Sequence, residues 1–367
     1  MRKSQNRQMR NRIEEELDGG PNMRCMAAGK VPVEQLTRDL FAGNISIGTP
    51  RQEPFYVYID LFWGSELAVI DSRADLSDIH KYFPPKRTFN SSASITYEQQ
   101  TESFAYLYDM VAHFGSDYVM FGEAAANLTF VIYDHVPDFA LDYPVDGMLG
   151  LSSKDTRYNI SFFEQIMPEL DQPVISFWTN RIHGFQNGTA EITIGAEDTD
   201  HCEPNWTYSP EISLEDSDWW FSSGYATHVT GFTAELDSQA LTFRMNKTLI
   251  FFDGFGMASM PHYLKYFFIN AADAVWNRTM YQHIVDCDID KHANVTLHIN
   301  GSHDIVLYPS DYIAYMRYWN VCFLDIWGYD DDELDFMTLP INFWNGHCFA
   351  YNHATREVGL ADAKRKR

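Results

Sequence analysis

The sequence has few basic residues, with 27 lysines and arginines against 51 aspartates and glutamates and a formal net charge of -24 at pH 7. Phosphate backbones and anionic membrane surfaces attract basic proteins, so we expect neither a nucleic acid nor a membrane as a partner. No run of about 18 apolar residues is present, and the sequence therefore predicts no transmembrane helix. The negative charge suits an acidic compartment, where protonation reduces self-repulsion, but a soluble acidic surface is the simpler explanation.

Motifs of several enzyme classes are missing as well. The chain contains no Gly-x-Ser-x-Gly, no His-Glu-x-x-His, no phosphate-binding Gly-x-x-x-x-Gly-Lys-Ser/Thr and no cysteine pairs at zinc-site spacing. Histidines such as His347 and His353 form no recognisable ligand frame, and the acidic run at 329–335 lacks the spacing and the glycine of a calcium-binding loop. We therefore expect no metal and no cofactor.

Cysteine is scarce, with five residues in the chain. Cys287 and Cys322 lie 35 residues apart and could close one disulfide. The other three, Cys25, Cys202 and Cys348, have no evident partner in the sequence. The cysteines alone therefore do not identify an oxidising compartment.

Glycosylation signals are abundant by comparison, since roughly two or three Asn-x-Ser/Thr sequons would occur by chance. The sequon asparagines are Asn44, Asn90, Asn127, Asn159, Asn187, Asn205, Asn246, Asn277, Asn294 and Asn300. This pattern indicates a secreted or lysosomal glycoprotein. The first 20 residues, however, show no apolar segment of the kind that a signal peptide requires.

The chain divides by composition into a polar beginning and a folded remainder. Residues 1–38 are polar and partly basic, with a Gly-Gly-Pro break at 19–21, and we interpret them as a leader, propeptide-like or disordered segment. From residue 39 onwards, short alternating apolar segments are separated by Gly, Pro, Asn and Asp, a pattern typical of β-strands. Helical patterns are limited to 161–167 and 261–276.

These elements predict a mainly β protein with a few short helices. The length is unusual for one β-sandwich, so two β lobes are expected. We place the N-terminal lobe at 39–190 and the C-terminal lobe at 191–367.

Several segments, taken in order, resemble the pepsin-like aspartic peptidases. The opening strand FAGNISIGTPRQ at 41–52 is the first of them. The others are VYID at 57–60, DGMLGL at 146–151, AEITIGAED at 190–198, WWF at 219–221, LIFFD at 249–253, VDC at 285–287, LYPSDYI at 307–313, Cys322 and AYNHATREVGLA at 350–361. Each is modest alone, but their shared order over most of the chain makes the resemblance specific.

The resemblance implies a bilobal double β-barrel in which each lobe contributes one aspartate to a cleft that binds an extended peptide. The matching residues are Asp60 and Asp253, each directly after an apolar strand. In that family two close carboxylates share one proton, so that one activates a water while the other protonates the peptide carbonyl. The implied protein is a monomeric acid endopeptidase that acts on peptides or proteins.

Both aspartates lie in turns that depart from the family's Asp-Thr-Gly-Ser/Thr pattern. Asp60 is followed by Leu-Phe-Trp at 61–63 before the pattern returns with one extra residue, and Asp253 is followed by Gly-Phe-Gly at 254–256. The residues assigned to substrate binding in these turns are Gly64, Ser65, Gly254 and Gly256. Loss of the threonine removes hydroxyl bonds between the lobes, and loss of the glycine adds bulk near the carboxylate.

Other parts of the family's site are unevenly kept. The apolar-apolar-Gly support beneath the first turn is present at 148–150, whereas the matching stretch of the second lobe, 338–340, ends in Pro340. The resemblance assigns Tyr108 to the flap that covers the cleft, with Tyr97 as the alternative. Two functions therefore stay open: an aspartic endopeptidase that uses Asp60 and Asp253, and a non-catalytic homologue that binds peptides or proteins in the same cleft.

Overall fold

The computed structural model describes residues 28–36, 40–61, 66–77, 85–106, 110–137, 140–141, 143–152, 161–180, 188–212, 225–236, 239–251, 257–299, 303–329 and 336–364. The strands within these ranges are β1 Gly29–Gln35, β2 Phe41–Ile47, β3 Phe55–Asp60, β4 Leu67–Asp75, β5 Glu98–Tyr106, β6 Met110–Phe121, β7 Ala124–His135, β8 Gly147–Gly150, β9 Val174–Asn180, β10 Thr189–Ile194, β11 Thr207–Pro210, β12 Ala226–Leu236, β13 Gln239–Ile250, β14 Ala258–Pro261, β15 Val275–Asn277, β16 Gln282–Val285, β17 Val295–Ile299, β18 His303–Leu307, β19 Ile313–Met316, β20 Val321–Leu324, β21 Ile326–Tyr329, β22 Phe336–Thr338, β23 His347–Asn352 and β24 Glu357–Asp362. The α-helices are α1 Phe162–Ile166, α2 His262–Ala271 and α3 Pro309–Tyr312, and four 3-10 turns lie at Ser91–Ala93, Met167–Glu169, Ile289–Lys291 and Ile341–Asn345. The fold is mainly β, as the alternating sequence pattern predicts.

The largest sheet joins the beginning of the chain to its end. Its order is β11-β24-β23-β9-β10-β1-β2-β3-β8-β4-β7-β6-β5. Strand β4 begins with the run Leu-Ala-Val-Ile, which is buried throughout because neighbouring strands and packing elements cover both of its faces. Strand β3 instead alternates buried and half-buried residues until its last two, Ile59 and Asp60, which are both buried. An aspartate therefore ends a strand inside the sheet.

The second half of the chain builds smaller sheets. One has five strands in the order β18-β17-β12-β13-β22, another has four in the order β15-β16-β20-β19, and β14 pairs with β21. Strand β13 and the short strand β22 run parallel, as β3 and β8 do in the first half. A large hydrophobic cluster with members from both halves, from Val31 to Leu360, packs between these sheets, and two smaller clusters lie beside it.

Strand β1 lies in a segment that the sequence analysis did not predict to be a strand. The sequence analysis assigned residues 1–38 to a leader or disordered segment, but 29–35 lie between β10 and β2 in the large sheet. Val31 and Val33 are buried there while Lys30 and Glu34 point to solvent, so the short alternating pattern is that of a strand despite its proline. Strand β10 also crosses the lobe boundary predicted at 190/191.

Helix α2 is shorter than predicted. The apolar pattern suggested a helix over 261–276, but α2 ends at Ala271, where the N–H of Ala272 bonds to the carbonyl of Phe268 and Asp273 takes a φ of 48°. A positive φ at a non-glycine residue ends the helical path. Among the described residues, no helix is both long enough and apolar enough to cross a membrane.

Two disulfides stabilise the second half and its junction with the large sheet. Cys287 and Cys322, which the sequence spacing allowed to pair, are joined. Cys202 and Cys348, for which the sequence suggested no partner, form a second bond across 146 residues. This second bond links the segment before β11 to β23, two regions that chain spacing alone could not bring together.

Candidate functional site

Asp60 is the predicted catalytic residue that lies within the described chain. It ends β3, is only 2% exposed, and pairs in register with Gly150 at the end of the parallel strand β8. The N–H of Leu151 donates to the carbonyl oxygen of Asp60 at 2.7 Å, and the N–H of Gly150 donates to the carbonyl of Glu66 at 2.8 Å. The end of β8 therefore holds the residues that precede and follow 62–65 in the chain.

A second buried carboxylate fixes the start of β8. Asp146 accepts hydrogen bonds from the backbone N–H groups of Tyr56, at 2.8 Å, and Arg87, at 2.9 Å. Burial raises the pKa of Asp146 above its ordinary value, although these two amides act in the opposite direction. Lys86 donates to the carbonyl of Val145 at 2.8 Å. The segment that supports Asp60 is thus bonded to β3 and to the chain before Phe89.

Tyr225 connects the second half of the molecule to this support. Its hydroxyl donates to the carbonyl of Leu151, one residue beyond Gly150, and its ring packs on Phe349 and Tyr351 with centroid distances of 4.9 and 4.8 Å. Complete burial raises the pKa of the Tyr225 phenol well above its ordinary value. Sequence analysis could not predict a role for this residue, because its partner lies 74 residues away.

The second half contains the matching parallel strand pair. Thr248, Leu249 and Ile250 of β13 pair with residues 336–338 of β22. The hydroxyl oxygen of Thr338 then accepts a hydrogen bond from the N–H of Ser259 at 2.7 Å. Among the described residues, this side-chain bond joins β22 to β14.

The chain after Ile250 enters the core before the second predicted loop. Phe251 is buried and packs on Trp344 and Phe349 with centroid distances of 6.2 and 5.7 Å. The predicted site residues Asp253, Gly254 and Gly256 lie outside the described residues, as do Gly64 and Ser65. Of the two predicted catalytic aspartates, the described chain therefore includes Asp60.

The predicted flap corresponds in position to a β-hairpin. Strands β5 and β6 are antiparallel and their ladder ends at Tyr106 and Met110, so residues 107–109 connect them. Tyr108 is the middle residue of this connection and lies outside the described residues. The alternative, Tyr97, packs on Phe89 at 5.7 Å, and a Cβ at Gly115 would lie 2.5 Å from its ring. Tyr97 therefore serves as a packing residue beneath the hairpin.

One cluster of possible metal ligands in the first half already contains a cation. Asp71, His113 and Asp134 each offer a ligand atom within 4.8 Å of the others. Arg73, however, donates to both oxygens of the Asp71 carboxylate, at 2.9 and 2.8 Å. These bonds outweigh burial and lower the pKa of Asp71. We assign no metal to this cluster.

The second such cluster is neutralised in the same way. Glu191, Asp198 and His201 lie within 4.8 Å of one another, and the ammonium of Lys30 on β1 contacts Glu191 at 3.0 Å and Asp198 at 3.4 Å. Lys30 also binds Asp200 at 2.6 Å. The cluster ties β1 to β10 and to the turn after it, so its carboxylates have a structural role.

Comparison with known proteins identifies the family. The family model of eukaryotic aspartyl proteases matches residues 40–363, which is most of the chain. The chain therefore belongs to the eukaryotic aspartyl protease family, and its fold is the bilobal pepsin-like one that the sequence resemblance implied. A search of curated proteins gives no match.

Proposed function

We propose that this chain is a non-catalytic aspartyl protease homologue that binds extended peptide or protein segments in the cleft between its lobes. Membership of the family supports a peptide or protein as the bound molecule. The observation that favours binding over hydrolysis is the register of the two parallel strand pairs. This register suggests that the position in the second lobe that matches Asp60 holds a residue other than aspartate.

The parallel pair β3–β8 in the first lobe shows which strand position holds the carboxylate of Asp60. Tyr58, Ile59 and Asp60 pair with Met148, Leu149 and Gly150 in turn. In the second pair, Ile250 pairs with Thr338, which the sequence resemblance matches to Met148. Ile250 therefore corresponds to Tyr58 in register. If the count is continued along the sequence, Asp60 corresponds to residue 252, which lies outside the described residues.

Residue 252 is Phe252, and Asp253 follows it by one position. A shift of one residue along a strand turns a side chain to the opposite face. A phenylalanine can neither share a proton with Asp60 nor orient a water between two carboxylates. Since the dyad mechanism needs both groups within a fraction of an ångström of their working positions, this offset favours a site that cannot hydrolyse peptides efficiently.

Acid endopeptidase activity through Asp60 and Asp253 remains the second candidate. It is favoured by the burial of Asp60 at the end of β3 and by the Gly150 support, which the first half retains. In this reading Tyr108 closes the cleft and the glycines beside each aspartate contact the peptide.

The deciding experiment is peptide digestion between about pH 3 and 6, with and without a statine-containing peptide that mimics the transition state. The non-catalytic proposal predicts no turnover by the wild type, together with binding of the statine peptide in calorimetry. Turnover that the statine peptide blocks, and that both Asp60→Asn and Asp253→Asn abolish, would establish the endopeptidase instead. Neither turnover nor binding would exclude both functions.

Either function fits a protein that passes through the secretory pathway and is then secreted or delivered to the lysosome. Two disulfides fit an oxidising environment. The sequon asparagines within the described ranges are all exposed or half-buried. They are Asn44, Asn90, Asn127, Asn205, Asn246, Asn277 and Asn294. We expect a monomer that binds neither nucleic acid nor membrane, because the net charge is -24.

A further inference from the structure

Strand β13 has an edge that the described strands leave open along part of its length. It is bonded to β12 on one side, but on its other side β22 pairs with residues 248–250 alone. Between residues 242 and 246 no described strand covers that side. The exposed residues of this stretch are Thr242, Phe243, Arg244 and Asn246. An open edge of this kind is a template on which a further extended chain can form hydrogen bonds.

The packing of Gly231 on β12 shows which backbone groups face the open edge. A Cβ at Gly231 would lie 2.4 Å from the carbonyl oxygen of Phe243, so this carbonyl points towards β12. Successive residues of a strand in an antiparallel pair direct their N–H and C=O groups to alternate sides. The N–H and C=O groups of Thr242 and Arg244 therefore point to the open side, where they can bind a further strand.

An aromatic side chain marks one face of this edge. Phe243 pairs in register with Phe232 on β12, and their rings stack at a centroid distance of 5.5 Å. The Phe243 ring also contacts Tyr263 of helix α2 at 6.2 Å, yet Phe243 is 50% exposed. Because these contacts hold the ring in place, a side chain from an added strand can pack against it without first ordering it.

The opposite face of the edge is polar and carries a positive charge. Thr242 and Arg244 lie on it, and the Thr242 hydroxyl is 3.3 Å from that of Thr233 on β12. Asp304 of β18 is bonded to His298 of β17 at 2.6 Å, whereas Arg244 forms no ion pair within the described chain. In a molecule with a net charge of -24, this exposed guanidinium favours an acidic partner.

We propose that the open edge of β13 binds an extended acidic segment of another protein as an added strand. The segment places an apolar side chain opposite Phe243 and an acidic side chain beside Arg244. Its backbone exchanges hydrogen bonds with Thr242 and Arg244, which give affinity, while the two side chains give specificity. The edge therefore recognises an apolar residue between acidic ones, and it does so whether or not a peptide occupies the cleft.

A second copy of the chain fits this edge less well. Symmetric antiparallel pairing about Phe243 would place Arg244 of each copy opposite Thr242 of the other, so the two guanidinium groups would be diagonal neighbours on one face. The register of β13 against β12 also shifts at residues 245–246, and this bulge ends the regular edge after Arg244. A positive charge and a bulge both protect an edge against its own copies, but the charge attracts an acidic segment.

The test measures binding of a fluorescent peptide to the full-length chain by anisotropy. The peptide is Ser-Thr-Glu-Phe-Glu-Thr-Ser with capped ends. The chain carries Asn246→Gln, so that no glycan at that sequon covers the edge, and the statine peptide is present in excess to fill the cleft. We expect binding that becomes about tenfold weaker when Lys replaces both Glu residues of the peptide.

Two results of this measurement would overturn the inference. Displacement of the labelled peptide by the statine peptide would locate the binding in the cleft. Equal binding of the Glu and Lys peptides would show that the edge does not select an acidic segment. Calorimetry with the statine peptide alone decides the cleft proposal separately, so failure of one proposal leaves the other standing.

Methylation of the peptide's backbone nitrogens tests whether it binds as a strand. With its Phe opposite Phe243, antiparallel addition directs the N–H groups of both Glu residues to β13, whereas parallel addition directs the N–H of the Phe there. N-methylation should therefore weaken binding about fivefold at one kind of position and have little effect at the other. Equal effects at both would show that the peptide does not extend the sheet.

Variants of the chain locate the site on β13. Thr242→Pro removes an N–H of the open side but no bond to β12, so the chain should stay folded and bind the peptide about fivefold more weakly. Arg244→Glu should reverse the preference between the Glu and Lys peptides, and it keeps the inference testable if proline disturbs the fold. Arg278→Glu, at an exposed position between β15 and β16, is the control and should leave both affinities unchanged. A preference that survives Arg244→Glu would overturn the inference.

Discussion

The two lobes build the same parallel strand pair but close its far side differently. In the first lobe, β8 is bonded to β3 on one side and to β4 on the other. In the second lobe, β22 is bonded to β13 on one side, and within the described chain its other side meets β14 through the hydroxyl of Thr338. The support under Asp60 thus rests on two backbone ladders, whereas the described residues of its counterpart show one ladder and one side-chain bond.

Gly147 of β8 accounts for much of this difference between the two strand pairs. Gly147 of β8 corresponds in register to Met337 of β22, and a Cβ at Gly147 would lie 2.3 Å from the carbonyl oxygen of Ala68. The absent side chain lets β4 approach closely. Met337 is instead buried as an ordinary core residue. The second lobe therefore has side-chain packing at the position where the first lobe has a close backbone approach.

The largest expected effect is that of Gly147→Ala. The new methyl group meets backbone rather than a flexible side chain, so β4 and β8 must separate and the free energy of unfolding should fall by about 3 kcal/mol. Denaturant unfolding measures the loss. Gly346→Ala is the control, since a Cβ there would have nothing within 4 Å and should change stability little. Similar losses for the two variants would mean that Gly147 does not set the strand spacing.

Buried carboxylates offer a second comparison, between Asp146 in the first lobe and Asp311 in the second. Asp311 accepts from the backbone N–H of Tyr308 at 2.7 Å and from the hydroxyl of Ser310 at 3.4 Å. Burial, the dominant cause, raises the pKa of Asp311 from 3.8 to about 7. The folded state therefore holds this proton where the unfolded chain would lose it. The stabilisation is complete below about pH 4, declines as the pH rises, and is lost above about pH 7, with about 1.4 kcal/mol for each unit between the two pKa values.

Asp311→Asn should remove most of that pH dependence. The amide cannot ionise but keeps an oxygen for the N–H of Tyr308, so unfolding at pH 8 should become harder while unfolding at pH 4 changes little. Asp146→Asn should reduce the pH dependence of the free energy of unfolding less than Asp311→Asn does, because two backbone amides already favour the charged form of Asp146. The exposed Asp290→Asn serves as the control for removal of a charge. A wild-type stability that does not decline between pH 4 and 8 would contradict this prediction.

Much of the fold could be predicted because strands carry local signals. The segments at 41–47, 55–60 and 174–180 alternate or concentrate apolar residues within a few positions, and they became β2, β3 and β9. Strand β1 was missed because its glycine, proline and charged residues resemble a linker until neighbouring strands bury Val31 and Val33. Helix α2 was overestimated because apolar residues continue past Ala271, where the backbone turns.

The candidate site was predictable in part, for a related reason. Asp60 follows an apolar strand, and this local signal made it a candidate. The structure shows that it is buried and pairs with Gly150, and its catalytic role stays a prediction. Tyr225 and the Cys202–Cys348 bond could not be found, because their partners are 74 and 146 residues away. The proposed offset between Phe252 and Asp253 is an extrapolation from the register of β13 with β22, which ends at Ile250, and a sequence motif contains no register.

Tyr225 allows a test of how strongly the second lobe holds the Asp60 support. Tyr225→Phe removes the hydroxyl that donates to the carbonyl of Leu151 and should lower the free energy of unfolding by about 1.5 kcal/mol. Tyr312→Phe is the matched control, because that hydroxyl donates to the carbonyl of Ala293 within the second lobe at 2.6 Å. Both variants should lose similar stability, but only Tyr225→Phe should weaken binding of the statine peptide. Equal effects on binding would show that the contact between lobes does not position the cleft.

The smallest expected effect concerns Thr338. Thr338→Val keeps the shape of the side chain but removes the hydroxyl to which the N–H of Ser259 donates, so stability should fall by about 1 kcal/mol, while Thr338→Ser should restore it. Thr242→Val, at an exposed position of β13, is the control and should cost less. Amide exchange at Ser259 gives the site-specific measurement: it should accelerate in Thr338→Val alone. Unchanged exchange would mean that packing, rather than this hydroxyl, holds β14 against β22, and the contrast between the two lobes would then rest on Gly147.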